Sequence, residues 1–229
     1  MNIIECKDVV RSFGEPPLVI LKSLSFSVEK GEFIGITGRS GSGKSTLLYV
    51  MSGLDDLSSG EVKISGKNIH DLKGEELHRF RNRNMGFVFQ FHFLLPELTT
   101  QENILMPARK YREEKKREKY ALSLMEQFHV LHCKDKRPSQ MSGGEMQRTA
   151  IARALVMEPE ILFADEPTGN LDSENGEIVM EIFEKVNRDF GTTIFMVTHE
   201  QDYAARGSRQ IHLVDGEIDS DARTRRIKN

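Results

Sequence analysis

The sequence predicts an α/β domain interrupted by a helical insertion. Three observations carry that prediction. Short apolar runs alternate with amphipathic helical stretches toward both ends of the chain. A glycine-rich loop stands between one such run and a helix. From about residue 72 the texture turns charged and helical before the α/β rhythm resumes near residue 161. A chain of 229 residues holds one sizeable domain, or one domain with an inserted lobe. We read 1–229 as that single domain and 91–158 as its helical insertion.

Each element has its own signal. Residues 24–28 alternate apolar and polar, Glu29-Lys30-Gly31 turns, and 32–37 is an apolar run through Phe33, Ile34 and Ile36. The glycine-rich loop follows, then a helix through Thr46, Leu47, Leu48, Val50 and Met51. Residues 60–65 form a short strand closed by Gly66, and 75–84 is charged helical sequence. In the helix over 113–129, Tyr120, Leu124 and Phe128 fall four apart and so share a face. Residues 161–164 are a continuous apolar strand, 174–189 an amphipathic helix and 193–198 another strand. Residues 210–218 read as a hairpin turning at Asp215-Gly216. The tail beyond Ser220 is polar and is expected to fray.

Composition excludes several classes. Lys and Arg number 32 against 35 Asp and Glu, a net charge of −3, so nothing draws the whole chain to nucleic acid, and no nucleic-acid partner is expected. Cys6 and Cys133 are too few for a disulfide framework, which points to a reducing compartment. The first seven residues lack the apolar stretch of a signal peptide, and no segment approaches the ~18 apolar residues that span a bilayer.

Gly38-Arg39-Ser40-Gly41-Ser42-Gly43-Lys44-Ser45 fits G-x-x-x-x-G-K-[ST] without a gap, and Thr46 continues into the helix. A flexible Gly/Ser turn would look the same in isolation, but the strand before it and the helix after it are what phosphate binding requires. Glycines let the backbone curl with its N–H groups inward, where they and the helix N-terminus hold phosphate oxygens. Lys44 is placed for the β- and γ-phosphates of ATP and Ser45 for Mg²⁺. The strand 161–164 runs into Asp165 and Glu166, which should emerge at its C-terminal edge. Asp165 is then the candidate Mg²⁺ holder and Glu166 the candidate general base.

Met141-Ser142-Gly143-Gly144-Glu145-Met146-Gln147-Arg148 resembles the signature motif of ABC-transporter ATPases. In family order, Phe87-Val88-Phe89-Gln90 looks like the Q-loop, Asn170-Leu171-Asp172 like the D-loop and Val197-Thr198-His199 like the switch-histidine motif. The resemblance covers essentially the whole chain. It implies a P-loop NTPase core with an antiparallel β subdomain and the inserted helical subdomain. Two ATP molecules would be sandwiched in a head-to-tail homodimer, with Ser142, Gly143, Gly144 and Asp172 facing the other copy's nucleotide. It further implies that Gln90 contacts Mg²⁺ or the attacking water, that His199 bonds the γ-phosphate and that Phe13 stacks on adenine. A core phenylalanine at a strand end is the alternative for Phe13. Met141 in place of the usual Leu, Glu145 in place of Gln, and Gln140 where an acid is frequent depart from the family pattern without touching a phosphate contact.

The stretch after Gln90, Phe91-His92-Phe93-Leu94-Leu95-Pro96-Glu97-Leu98-Thr99-Thr100 with Glu102-Asn103-Ile104 and Met106-Pro107 following, resembles the lipoprotein-releasing branch. That resemblance implies a peripheral ATPase on the cytoplasmic face of the inner membrane, docked through residues 91–100 to integral-membrane subunits. Macrolide- or peptide-efflux ATPases are the near alternative, and a non-transport ATPase acting on nucleic acid the distant one. The apolar residues of 91–95 could instead be buried against the insertion. His129, His132 and Cys133 have ligand chemistry, but no further ligand stands near them in sequence, so no zinc site is expected.

Overall fold

The computed structural model describes residues 1–224. Two long strands, β1 (Asn2–Phe13) and β2 (Leu18–Glu29), pair antiparallel and lead into β3 (Phe33–Thr37). Helix α1 (Lys44–Met51) follows the glycine-rich loop. Then come β4 (Ser59–Ile64), β5 (Lys67–Asn68), α2 (Gly74–Asn84) and β6 (Met85–Phe89). Three helices, α3 (Thr100–Arg109), α4 (Glu114–Gln127) and α5 (Gly143–Leu155), separate β6 from β7 (Ile161–Asp165). The remainder is α6 (Ser173–Phe190), β8 (Thr193–Val197), α7 (Gln201–Ala204), β9 (Arg209–Val214) and β10 (Glu217–Arg223).

The strands form a four-stranded antiparallel sheet, β2-β1-β4-β5, and a six-stranded sheet, β10-β9-β3-β8-β7-β6. In the larger sheet β9, β3, β8, β7 and β6 run parallel and β10 is antiparallel. Every residue of β3, β7 and β8 is buried, as expected of parallel strands covered on both faces. One apolar cluster joins the antiparallel sheet and α1 to one side of this sheet through Leu21, Ile36, Leu48, Phe163 and Phe195. The other joins α3 to α6 to its opposite side through Ile104, Phe128, Ile151, Leu162 and Phe183.

Among the elements not foreseen, two flank Gln90. Residues 85–89, read as a connecting loop from 87 on, form an edge strand paired in parallel with β7. Its apolar run is only five residues long and directly follows a charged helix, so periodicity alone cannot distinguish it. Helix α3 was also missed. Pro107 sits in its last turn, but the start is well specified: Thr99 Oγ1 accepts from the Glu102 amide while the Glu102 carboxylate accepts from the Thr99 amide. The tail differs from expectation as well, because Asp221, Ala222 and Arg223 continue β10 against β9. The rest of that predicted fraying segment, 225–229, lies outside the described residues.

Helix α5 lies so close to β6 that a Cβ on Gly86 would stand 2.5 Å from the Ala154 carbonyl oxygen and 2.9 Å from Leu162. A backbone atom cannot yield as a flexible side chain can. Gly86→Ala should therefore cost about 1–3 kcal/mol through overpacking, read as a lower midpoint in denaturant titration.

Candidate active site

The parallel register decides where chemistry can occur. Phe89 pairs with Asp165, Asp165 with Val197, and Val197 with Ile36. The residues that leave these strands therefore emerge together on one edge, where ligands of open α/β sheets bind. A cleft of 530 Å³ opens there. Phe13, Ile20, Ser40, Gly41, Gly43, Lys44, Ser45, Thr46, Glu166 and His199 line it.

The glycine-rich loop takes its shape from residues that other side chains could not replace. Gly38 has φ +150° and a Cβ there would stand 2.4 Å from the Leu213 carbonyl oxygen; Gly43, at φ +99°, caps α1 in a left-handed conformation. No side chain caps α1 and no acidic residue occupies its first turn. Its N-terminal amides are thus left to an anion, and the loop fits a phosphate group. The buried Lys44 Nζ donates to the carbonyls of Gly38 at 2.9 Å and Arg39 at 3.0 Å, which bends it back over the loop.

Asp165 is 8 % exposed and accepts from Ser45 Oγ at 2.9 Å and from Tyr49 Oη at 2.8 Å. No Lys or Arg among the described residues is in ion-pair distance of it. A buried carboxylate held only by neutral hydroxyls, with an alcohol oxygen beside it, is a donor set that suits a hard divalent cation. Sequence reasoning missed Tyr49. Burial, and then the hydrogen bond to Asp165, push its phenol up to about 12, so it stays a donor. Its signal was the spacing of one helical turn from Ser45, which puts both hydroxyls on one face.

Glu166 adopts φ +49°, a conformation uncommon outside glycine. Its amide donates to the Val197 carbonyl at 2.9 Å and its carbonyl accepts from the Gly169 amide at 3.1 Å. The carboxylate meets His199 Nδ1 at 2.7 Å and accepts from the His199 amide at 3.3 Å. Gln90 does not line the cleft. Its Nε2 donates to Asn170 Oδ1 at 3.1 Å, and Asn170 Nδ2 donates back to the Gln90 carbonyl at 3.1 Å. Phe13 is an exposed ring at the cleft mouth with the Arg11 guanidinium 4.2 Å from its centroid, not a core residue.

The predicted signature residues sit apart from this cleft. Ser142 is the exposed N-cap of α5: its hydroxyl accepts from the Glu145 amide at 3.2 Å and its amide donates to Glu145 Oε2 at 2.7 Å. A Cβ on Gly144 would fall 1.9 Å from Asn175 Oδ1 at the start of α6, so any larger residue there would have to displace that side chain. Asp172 caps α6 through the Asn175 amide at 2.8 Å. None of Ser142, Gly143, Gly144 and Asp172 lines the cleft of the same chain.

His132 Nε2 and Cys133 Sγ both meet Glu145 Oε1, at 2.7 and 3.2 Å. The fold thus supplies the third ligand-type group that the sequence did not show, while His129 stays outside the cluster. The cluster fastens the carboxylate that caps α5. Residues 91–95 are not core: Phe91 is 65 %, Phe93 64 % and Leu95 39 % exposed. Phe93 packs edge-on against Phe89 at 5.4 Å, beside a groove floored by Met85, Phe87, Phe89, Met106 and Met157.

A phosphate-cradling loop, a buried metal-type carboxylate and a second carboxylate bonded to histidine, all on one edge of a parallel sheet, define a nucleoside-triphosphate hydrolase. Comparison with known proteins makes the class specific. The ABC transporter family profile matches residues 21–169. The lipoprotein-releasing system ATP-binding protein LolD of Leptospira interrogans is 52 % identical over 94 % of this chain and 90 % of its own length. The macrolide export ATP-binding/permease protein MacB of Aggregatibacter actinomycetemcomitans is 44 % identical over all of this chain but only 36 % of its own. A bacterial ABC transporter cassette solved as a dimer superposes with a TM-score of 0.88 at 39 % identity, covering 97 % of this chain and 99 % of that one. The chain belongs to the ABC transporter family, as an ATP-binding, ATP-hydrolysing transporter subunit. No helix among the described residues is long and apolar enough to cross a membrane.

The capping box gives a pH prediction. The Ser142 amide above all, then Cys133 and His132, hold the Glu145 carboxyl down to about 2 from an ordinary value of 4.5. Because the folded pKa is depressed, the stabilisation is complete above pH ~4.5 and disappears as pH falls toward ~2. Glu145→Ala should melt below wild type at pH 7, and the two melting curves should converge as pH is lowered through that window.

Proposed function

We propose that the chain is the ATPase of a lipoprotein-releasing transporter, working as an ATP-sandwich dimer on the cytoplasmic face of the inner membrane. The observation that carries the reading is the single sheet edge on which Lys44, Ser45, Asp165, Glu166 and His199 converge, in a chain half identical to a lipoprotein-releasing ATPase over nearly its whole length. MacB carries the efflux alternative, but that protein is a fused ATP-binding/permease and this chain spans about a third of it.

The roles follow from chemistry. The curled loop of Gly38, Arg39, Ser40, Gly41, Ser42 and Gly43, with Thr46 and the α1 N-terminus, binds the phosphates, and Lys44 turns from the loop carbonyls to the β- and γ-phosphates. Phe13, with Ile20 beside it, walls the cleft mouth for the adenine ring. Ser45, Asp165 and Gln90 would hold Mg²⁺. Bound there, Mg²⁺ would neutralise charge developing on the phosphate oxygens. Glu166 accepts the proton of the attacking water. His199 orients that carboxylate through Nδ1 and hydrogen-bonds the γ-phosphate.

Ser142, Gly143, Gly144 and Asp172 serve the nucleotide of the second copy. Residues 1–229 act as one nucleotide-binding domain whose segment 91–158 is a helical arm that moves with nucleotide state. The exposed Phe91, Phe93 and Leu95 seat the membrane subunits.

Glu166→Gln keeps shape but loses the base, so hydrolysis should fall about 10²–10⁴-fold. With ATP intact, size-exclusion chromatography should show a MgATP-dependent dimer. Normal turnover would remove Glu166 from its role. Phe93→Ser combined with Leu95→Ser should leave ATP binding and the melting temperature near wild type. Co-purification with the membrane subunits should be lost. A fall of ~2–5 kcal/mol per site, the cost of core truncation, would defeat the docking assignment.

A further inference from the structure

One cluster of ligand-type side chains lies outside the cleft. The single turn Leu131–Cys133 brings His132 and Cys133 up to the start of α5, where both side chains meet Glu145 Oε1. The three ligand atoms lie within 4.8 Å of one another, and no other group of three His, Cys or acidic side chains does so among the described residues. Capping alone does not call for these donors. The Thr99–Glu102 box starts α3 with no His or Cys hydrogen bond to its carboxylate among the described residues.

The arrangement fits a metal ion in ligand type, spacing and support. Zinc-class cations take imidazole nitrogen, thiolate and carboxylate oxygen in a tetrahedron, which sets the ligand atoms ~3.3–3.8 Å apart. His132 Nε2 and Cys133 Sγ stand 2.7 and 3.2 Å from Glu145 Oε1, so an ion enters after an opening of less than ~1 Å. The other carboxylate oxygen, Oε2, accepts from the Ser142 amide at 2.7 Å, which keeps Oε1 turned to the two donors. Cys133 is buried and its amide donates to the Val130 carbonyl at 3.0 Å, whereas the His132 side chain is 59 % exposed. The thiol therefore forms the floor of the site and the imidazole its open side, where water can serve as fourth ligand. A thiolate and a carboxylate together balance a divalent charge. Mg²⁺ prefers six oxygen ligands, so this donor set does not compete for the ion expected at Asp165.

We propose that His132, Cys133 and Glu145 form a binding site for a divalent transition-metal ion of the zinc class, separate from the nucleotide cleft. Binding exchanges the Cys133 S–H bond for a sulfur–metal bond and releases that proton to solvent, with no change of oxidation state. His132 binds through Nε2 as neutral imidazole with its proton on Nδ1. The ion ties the turn 131–133 to α5 and so clamps the helix end on which Ser142, Gly143 and Gly144 stand. The site goes beyond the lipoprotein-release reading, and its failure would leave that reading untouched.

The test uses the full chain without nucleotide, because ATP chelates the same ions. Co²⁺ is the spectroscopic probe and Zn²⁺ its competitor, both in excess Mg²⁺. A single Co²⁺ per chain should bind with a sulfur-to-cobalt charge-transfer band and the visible bands of a four-coordinate ion. Zn²⁺ should displace it and raise the melting temperature. Cys133→Ser should abolish the charge-transfer band, and Cys6→Ser should keep it. His132→Ala and Glu145→Gln should each weaken Co²⁺ and Zn²⁺ binding more than ~10-fold. Gln at that position can still accept from the Ser142 amide, so the capping box survives. Metal-free melting curves identify variants that fail to fold, and if Cys133→Ser is one of them, the other two substitutions decide. Absence of the charge-transfer band, or its survival in a folded Cys133→Ser variant, would overturn the proposal. So would affinity unchanged in both His132→Ala and Glu145→Gln, which would mark an adventitious ion only.

Discussion

The structure depends on the alignment of parallel strand ends. Ladder hydrogen bonds between β3, β8, β7 and β6 fix Ile36, Val197, Asp165 and Phe89 at one level of the sheet. Everything chemical follows within a residue or two of that level: the glycine-rich loop after β3, Glu166 after β7, His199 after β8 and Gln90 after β6. A one-residue slip in β7 would turn Asp165 from Ser45 to the opposite face of the sheet. Complete burial of β3, β7 and β8 opposes such a slip, because the apolar residues on both faces are packed into two separate cores. The energy that holds the site is therefore hydrophobic burial remote from it, and the polar contacts at the edge select orientation.

Helix α5 connects that edge to the outside. Its first residues carry the Ser142–Glu145 capping box, its middle sends Gln147 Nε2 to the Pro167 carbonyl at 2.6 Å, just after Glu166, and its last turn holds the His92 and Phe93 carbonyls through Arg153. One rigid rod thus touches the signature turn, the segment behind the general-base candidate and the exposed aromatic loop. On the proposed reading, a nucleotide-driven shift at Gln90 and a partner seated on Phe93 act on the same helix. The contact chain between them is only a few side chains long, which suits a device that must convert phosphate chemistry into movement.

Much of this was legible in the residues, and what was not has physical causes. The loop 38–45 and the strand ending at Asp165-Glu166 announce themselves because their chemistry is local: a backbone that must curl, and acids that follow an apolar run. Edge strand β6 and helix α3 escaped because one is short and the other carries Pro107, so neither shows a clean period. Tyr49, and the bond that Asn170 makes, escaped for another reason. Each acts by holding a predicted residue, Asp165 or Gln90, and such pairing across more than 70 positions exists only after folding. His132 and Cys133 show the same limit, since their partner Glu145 is a dozen residues on and reaches them only around the turn that starts α5.

The division between cleft and signature turn has a consequence for stoichiometry. Within one chain, Lys44, Ser45, Glu166 and His199 share a cleft, while Ser142 and Gly143 open onto solvent at the start of another helix. The Ser142 capping box already satisfies the Ser142 and Glu145 amides, which leaves the amides of Gly143 and Gly144 as the uncommitted donors of that helix end. Gly144 is fixed by the Asn175 side chain pressed against it, so this end of α5 is pre-shaped, and its dipole favours an anion. On the proposed reading, this helix end, which cannot serve its own chain's cleft, meets the nucleotide of a second copy. By two-fold symmetry each copy would then complete the other's site.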